Sequence, residues 1–290
     1  QPALRVDAPM PLIEGLLEKS AVRCTADIRL DPVADPFLRE HRYRGASLMP
    51  AAVGMEILME GSGLFDGSFA TVLRDVEIHN GWSFNGPRPG TARIVVERDG
   101  DMANCRLVTE FRGRKGNLVD PDRILITGKA KRADASSAVT IMEKFAAKMM
   151  PIQYPKSGPL IHGASFQCLK ELGLDGARGC GIIVAQSPGT LGGTRRGNWM
   201  LPVAELDACL VACGGYVLQR LGALALPKRF GCLHFFRHPG DGERCEFRFH
   251  ERRREKELVF FDFVLIGADG AAVLRAEEFG LALAGQGMDR

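Results

Sequence analysis

The chain has 290 residues, of which 46% are hydrophobic and 25% are charged, a composition typical of globular proteins. Its 38 basic and 35 acidic side chains leave a formal net charge of +3, which is too balanced to predict binding to nucleic acid or to a membrane surface. No run of about 18 apolar residues and no signal-like opening is present, so neither a membrane span nor secretion is predicted.

The eight cysteines are scattered along the chain, and none of them forms a Cys-x-x-Cys pair. Several lie in apolar runs, where a free thiol behaves as a small hydrophobic group. This usage favours a cytoplasmic protein over a disulfide framework. Because the chain begins with Gln and not with Met, we expect a piece of a longer polypeptide.

The first half of the chain predicts a strand, a buried helix and a series of hairpin strands. Residues 22–30 alternate between apolar and polar side chains, as a half-buried strand requires. A helix begins at Pro50 and ends at Gly61 or Gly63, and it is apolar on nearly every side, which indicates burial among other elements. Gly, Pro, Asp and Asn clusters separate four further predicted strands, at 70–79, 92–98, 103–111 and 123–131.

The second half repeats this order after a break in the pattern. We assign residues 136–157 to a linker that carries a short helix. A strand at 178–185 and an apolar helix at 201–222 follow. Three alternating strands close the chain, at 244–250, 257–267 and 271–283, and an Asp-Gly turn joins the last two.

The two helices align on their prolines, with LMPAAVGMEIL (48–58) over MLPVAELDACL (200–210). Chance similarity between two buried helices is the alternative, but the matching strand order favours duplication. A sheet curled around one apolar helix is the hotdog arrangement. The predicted fold class is therefore α+β, a double hotdog with an N-terminal unit at 1–135 and a C-terminal unit at 158–290 that share one sheet.

The second predicted helix contains an unexpected carboxylate, Asp207. A helix buried on every side should hold no charge unless the charge has a purpose or a partner. Burial disfavours the ionised form, so Asp207 would hold a proton near neutral pH and act as a general acid. The alternative is a structural Asp that hydrogen-bonds to backbone groups near the helix start.

His41, in the stretch HRYRGASLMP (41–50), faces the same choice between a structural and a catalytic role. Gly45 follows four residues later, where a tight turn would let backbone amides approach a ligand. Those amides, near the helix start at Pro50, would bind a carbonyl oxygen that becomes an enolate. A histidine base, a protonated acid and such an oxyanion donor suffice to remove water from a β-hydroxy carbonyl compound.

Several of these stretches resemble the dehydratase domains of polyketide synthases. HRYRGASLMP fits the family's His-x-x-x-Gly-x-x-x-x-Pro motif, and the flanking DPFLREH and PAAVGMEIL resemble the iterative, polyunsaturated-fatty-acid-synthase-like members. HGASFQCL (162–169) is similar to the Tyr-Gly-Pro-x-Phe motif, with His162 in place of Tyr. LPVAELDACL resembles the stretch with the catalytic Asp, and FDFVLIGADGAAVLRAEEFGLAL resembles the final hairpin.

The resemblance implies that the chain is a hydro-lyase of polyketide or fatty-acid-like biosynthesis. His41 would remove a proton from C2 of a 3-hydroxyacyl thioester, Asp207 would protonate the departing hydroxyl, and the product would be a trans-2-enoyl thioester. The substrate would hang on the phosphopantetheine of an acyl carrier protein, with no other cofactor and no metal bound. The expected oxyanion and substrate-binding residues are Gly45, Pro50, His162, Phe166 and Gln167.

Two positions depart from the family's pattern. Leu201 stands where His usually precedes Pro, and Val211 stands where Gln or His usually orients the Asp. Asp207 then needs another partner, such as Gln167 or a water. Two alternatives to a dehydratase stay open, a product-template domain and a non-catalytic acyl-binding domain, and Val211 is the best argument for the second.

The expected partners are the carrier protein and other domains of a multidomain synthase, with no nucleic acid and no membrane. Open sheet edges would also allow a homodimer. Arg195 and Arg196, in a Gly-rich loop, would either meet the acidic carrier or its phosphopantetheine phosphate, or be plainly solvated. The remaining histidines beside strands show no metal-ligand spacing with Cys or acids.

Overall fold

The computed structural model describes residues 10–113, 115–132 and 142–284. The helices are α1 (Pro36–Arg39), α2 (Ala51–Ser62), α3 (Pro188–Gly192) and α4 (Val203–Leu221), with a 3-10 turn η1 (Ala164–Phe166). The strands are β1 (Ile13–Lys19), β2 (Arg23–Leu30), β3 (His41–Tyr43), β4 (Ala46–Leu48), β5 (Val72–Ile78), β6 (Ser83–Phe84), β7 (Gly90–Asp99), β8 (Met102–Arg112), β9 (Leu118–Lys131), β10 (Met150–Pro151), β11 (Leu160–His162), β12 (Leu169–Asp175), β13 (Arg178–Val184), β14 (Leu224–Phe235), β15 (Arg244–Arg254), β16 (Leu258–Ile266) and β17 (Ala272–Ala284).

One large antiparallel sheet carries the fold, in the order β1-β2-β7-β8-β9-β5-β14-β17-β16-β15-β13-β12-β10. The strands of the first half lie on one side of β5 and those of the second half lie beyond it. The halves join where β5 pairs with β14, with Leu73 opposite Leu233. The predicted continuous sheet, and with it the double hotdog, is confirmed; the exact unit boundaries stay a prediction.

Each half of the sheet curls around one helix. Helix α2 contacts β7, β8 and β9, and its residues 52–61 are all buried. A Cβ on Gly61 would lie 2.9 Å from the Ile94 side chain, so glycine lets the helix lie directly on β7. Helix α4 contacts β12, β13, β14 and β16 in the same manner, and Gly222 ends it in a left-handed conformation with φ +65°.

A second, four-stranded sheet in the order β11-β3-β4-β6 connects the two halves. Strand β11 belongs to the second half, yet it pairs antiparallel with β3 of the first half. In that register His162 lies directly opposite His41. This short pairing, absent from the sequence-based prediction, positions the site described below.

The predicted strands and both long helices are present, but the structure also contains strands that were not predicted, β1, β12 and β14 among them, and the described part of the linker is not helical. Strand β14 was missed, because Pro227 and Lys228 interrupt its alternation and a proline argues against a central strand. No helix occurs at 142–157; the chain there is irregular apart from the two-residue strand β10. The rest of the predicted linker, at 136–141, lies outside the described residues.

The cysteines are all buried free thiols. Within the described ranges, no helix combines the length and the hydropathy that crossing a bilayer would take. Strands β1 and β10 form the two ends of the large sheet, and a dimer through such an edge stays a prediction.

Candidate active site

A cavity of about 430 Å³ lies between the start of α2, one face of α4 and the strands β5, β9, β14 and β17. This volume is in the range of ligand pockets. Most of its lining is apolar, and three buried polar side chains meet at one place in it: His41, His162 and Asp207. Few, convergent polar groups in an apolar cavity are typical of an active site.

His41 lies at the start of β3 and is held in one tautomer. Its Nδ1 is 2.7 Å from the carbonyl oxygen of Leu48, and since a carbonyl only accepts, Nδ1 carries the hydrogen. The other nitrogen, Nε2, is then free of a proton in the neutral ring. Burial lowers the pKa of His41, and the nearby Asp207 carboxylate opposes this in part. The ring is therefore kept neutral, with Nε2 able to accept a proton.

His162 lies opposite His41, with the two ring centroids 5.0 Å apart and the rings nearly perpendicular. Its backbone is fixed on both sides. The side chain of Gln167 donates to the His162 carbonyl oxygen at 2.9 Å, and the amide of Gly163 donates to the Glu40 carbonyl oxygen at 2.6 Å. A well-fixed backbone keeps the ring from turning away from the cavity.

Asp207 lies in the second turn of α4, and its carboxylate is nearly inaccessible to solvent. Its Oδ2 is 3.3 Å from Nε2 of His162, and no group of the described residues makes a well-formed hydrogen bond to that oxygen. A buried oxygen without a partner is rare and costly, which points to a ligand group that completes its bonding. Its neighbour is His162 and not Gln167, which was one of the two expected partners, the other being a water.

The ligand atoms of His41, His162 and Asp207 all lie within 4.8 Å of one another. Two imidazoles and one carboxylate form a donor set that suits a transition metal as well as acid–base chemistry. The absence of a metal stays a prediction.

Other residues expected in the site lie elsewhere. Gly45 is exposed in the two-residue turn between β3 and β4, where Arg44 and Gly45 have φ 49° and 85°, the conformation of a type I′ hairpin turn. It does not line the cavity, and what the structure shows it to supply is the hairpin turn. Pro50 precedes α2 as its N-cap, and the following residue, Ala51, lines the cavity instead.

Phe166 and Gln167 support the site from behind. Phe166 is fully buried, with its ring 5.7 Å from that of His41 and 6.1 Å from that of His162. Gln167 holds the His162 backbone as described, and neither residue lines the cavity. Phe166 ends η1 and Gln167 follows it, and η1 contacts α1 of the first half and α3 and α4 of the second.

The two positions that depart from the family's pattern have distinct surroundings. Val211 lines the cavity one helical turn after Asp207 and offers that carboxylate no hydrogen bond. The amide of Leu201 instead donates to Glu56 Oε2 at 2.7 Å, which fixes the start of α4 to α2.

Sequence reasoning missed Glu56 and Glu60, two fully buried carboxyls on α2. Glu56 accepts from the amides of Met200 and Leu201, and Glu60 accepts from those of Leu12 and Ile13. Burial raises the pKa of both groups. The rule that flagged Asp207, a carboxylate in a wholly buried helix, would have found them.

Arg195 is not available to a carrier protein. Its guanidinium forms a bidentate pair with Asp35 at 2.6 Å, and it also donates to the carbonyl oxygens of Pro11 and Arg29. It ties the loop before α4 to the first half of the chain. Arg196 is exposed.

The fold and site together define the class: a double hotdog in which a histidine of one half and an aspartate of the other meet in one apolar cavity. Solved dehydratase domains share this fold. An inactive mutant of the CurJ dehydratase in complex with a compound superposes with a TM-score of 0.76 at 14% identity, over 95% of this chain and 97% of that one. The dehydratase domain of RzxB from Pseudomonas fluorescens gives 0.76 at 16% identity, over 95% and 99%. The dehydratase domain of a mycocerosic acid synthase-like polyketide synthase gives 0.70 at 18% identity, over 97% of each chain.

The family comparison agrees with the fold. Residues 155–288 match the model of the family described as "Polyketide synthase dehydratase N-terminal domain". No curated protein matches the chain. The resemblance to polyketide synthase dehydratase domains is thus confirmed, whereas the similarity to the polyunsaturated-fatty-acid-synthase-like members stays a prediction.

Proposed function

We propose that the chain dehydrates 3-hydroxyacyl thioesters on the phosphopantetheine arm of an acyl carrier protein, giving trans-2-enoyl thioesters within a multidomain synthase. The observation that carries the proposal is the His41 tautomer. Its Nδ1 is bonded to the Leu48 carbonyl oxygen, so Nε2 is an unprotonated base in a cavity that it shares with the buried carboxyl of Asp207.

In the proposed reaction, His41 Nε2 takes the proton from C2, and the electron pair of that bond forms the C2–C3 double bond. The C3–O bond breaks as Asp207 gives its proton to the leaving hydroxyl, which departs as water. His41 is left as imidazolium and Asp207 as carboxylate. A proton passing from His41 to Asp207 restores both groups for the next turnover.

We assign the thioester oxygen to the first turn of α2. The amides at a helix start have no partners within the helix, and Ala51 places that turn on the cavity wall. These donors would stabilise the negative charge that develops on the oxygen when C2 loses its proton. The assignment replaces Gly45, whose exposed turn is not part of the cavity lining.

The test is conversion of a carrier-bound 3-hydroxyacyl thioester, followed by mass spectrometry for the loss of water. We expect turnover by the wild type, and loss of turnover on the order of 1,000-fold or more in His41→Ala, which removes the base. Asp207→Asn keeps the shape of the side chain and removes the acid, so it should be comparably impaired. Glu14→Gln, at an exposed position of β1 outside the cavity lining, is the control and should keep full activity.

A wild type as inert as His41→Ala would exclude the dehydratase. Binding of the acyl thioester without turnover would then support the acyl-binding alternative. Cyclised products from a poly-β-keto chain would support a product-template domain.

A further inference from the structure

One face of α4 forms a continuous wall of the cavity. Its lining residues follow helical spacing from the candidate acid outwards: Asp207, Leu210, Val211, Gly214, Gly215 and Leu218. At a rise of 1.5 Å per residue, Gly214 lies about 10 Å along the helix from Asp207. Leu218 is 54% exposed, so the cavity reaches the surface at that end.

Two adjacent glycines in a helix interior need a reason, because glycine is among the least favourable residues there. The backbone conformation does not require glycine, since neither Gly214 nor Gly215 has a positive φ. Close packing does not require glycine at these positions either. A Cβ on Gly214 would meet nothing within 4 Å, and one on Gly215 would make an ordinary contact with Leu172 at 3.5 Å.

Gly54 of α2 shows the contrast. It lines the same cavity, but a Cβ there would lie 3.3 Å from the Met49 side chain and 3.4 Å from that of Ile126. Gly54 thus accommodates close packing, whereas the glycines of α4 leave open space. What Gly214 and Gly215 supply is room inside the cavity.

The surroundings of this space are apolar. The lining contributed by the end of α4 and by β12, β14 and β17 includes Leu172, Leu218, Leu224, Ala225, Leu226 and Leu281, and Leu172 is the residue that a Cβ on Gly215 would meet. A pantetheine arm would lose hydrogen bonds from its two amides there, at a cost, whereas a hydrocarbon chain would lose none. The cavity lining also holds polar side chains of β14 and of the segment after β5: Lys228 donates to the Ile78 carbonyl oxygen at 2.8 Å, and His79 and Asn80 follow Ile78.

We propose that Gly214 and Gly215 form the acyl-chain section of the cavity and fit this chain to long hydrocarbon substrates. The inference rests on the proposed function, which it deepens by naming the substrate class. A short acyl group ends near Asp207, whereas a long one extends along α4 past both glycines. A side chain at position 214 therefore blocks long substrates and spares short ones.

The experiment compares 3-hydroxybutyryl and 3-hydroxydodecanoyl thioesters on the same carrier protein. We expect Gly214→Leu to lower kcat/KM for the dodecanoyl substrate by about 10-fold or more and to leave the butyryl substrate within about 2-fold. Gln219→Leu is the matched control, because it places the same side chain on the exposed side of α4. Gly214→Ala should raise the melting temperature, since alanine favours the helix.

Equal losses for both substrates would show that this section holds the pantetheine arm, and no change for either would show that it is unused; both results overturn the inference. Calorimetric binding of butyryl and dodecanoyl thioesters gives the same comparison without turnover. A wild type that binds the long chain more tightly but does not dehydrate contradicts the proposed function alone. Binding that ignores chain length or the Gly214→Leu change contradicts the inference alone.

Discussion

At the residue scale, the polar neighbour of Asp207 is His162 and not the residue one turn further along α4. Val211 offers no hydrogen bond to the aspartate one turn before it, but His162, on a different strand, brings Nε2 to 3.3 Å from Asp207 Oδ2. Sequence spacing along α4 showed that position 211 has no polar side chain, but it did not show that the His162 imidazole lies beside Asp207. The pairing of β3 with β11 places that imidazole, and no periodicity predicts this three-residue contact.

If His162 positions Asp207, its removal should harm kcat far more than KM. We expect His162→Phe to lower kcat by about 100-fold through loss of carboxylate orientation. Adding Val211→Gln in that background should restore about 10-fold, since glutamine at that position faces the carboxylate from the next helical turn. Steady-state kinetics of both single variants and the double variant give the answer. A double variant no faster than His162→Phe would refute the positioning role.

The pH dependence tests His41 as the base. Burial lowers its pKa from the usual 6.5, and catalysis needs the neutral ring, so activity persists to lower pH than for an exposed histidine. The acidic limb of the kcat/KM profile should therefore fall below pH 6.5. A limb at or above 6.5 would assign the titrating base elsewhere.

At the scale of elements, α2 connects two distant segments of the chain through its buried carboxyls. Its carboxyls Glu56 and Glu60 are one turn apart and fully buried, and they bind the backbone at Leu12 and Ile13 on one side and at Met200 and Leu201 on the other. The helix thus joins the first strand to the segment that starts α4. Periodicity located α2 within one residue of its ends. It does not predict these hydrogen bonds between carboxyls and backbone amides, because they join distant segments of the chain.

These carboxyls make stability depend on pH. Burial raises the pKa of Glu56 to about 8, and burial together with Glu56 raises that of Glu60. The folded state holds protons that the unfolded state releases above its ordinary carboxyl pKa of 4.5, so stability falls as the pH rises from 4.5 towards 8.

We expect the melting temperature of the wild type to decline over that window and the decline to be shallower in Glu60→Gln, which removes one titrating group and gives Glu56 an amide donor. Differential scanning calorimetry across the window measures it. Glu14→Gln, at an exposed site on β1, is the control and should follow the wild type. Parallel curves for all three proteins would place the pH dependence elsewhere.

At the scale of the whole molecule, the duplicated order of elements could be predicted from the sequence, because buried helices and alternating strands leave a periodic signal. The contacts that join the two halves could not be predicted from the sequence. Strand β14 makes the join with β5 although Pro227 breaks its pattern, and the ion pair of Arg195 with Asp35 spans 160 residues of sequence. Contacts of this kind depend on the folded geometry and not on local composition.

The Arg195–Asp35 pair should stabilise the molecule as a whole. The two side chains are 13% and 5% exposed, so loss of the arginine leaves a buried carboxylate without its partner. We expect Arg195→Ala to lower the free energy of unfolding by about 3 kcal/mol. Arg196→Ala, at the exposed neighbouring position, should stay within about 0.5 kcal/mol of wild type. Denaturant unfolding compares them, and equal effects would contradict the role assigned to the pair.

The pairing of β3 with β11 also bears on when the site is completed during synthesis of the chain. The ribosome releases His41 long before His162 and Asp207, so a first half that folds early presents its base to an unfinished cavity with no acid and no second imidazole. The complete site needs both halves, because His162 and Asp207 lie in the second half of the chain. A chain interrupted before the second half would then hold His41 without the other groups of the site.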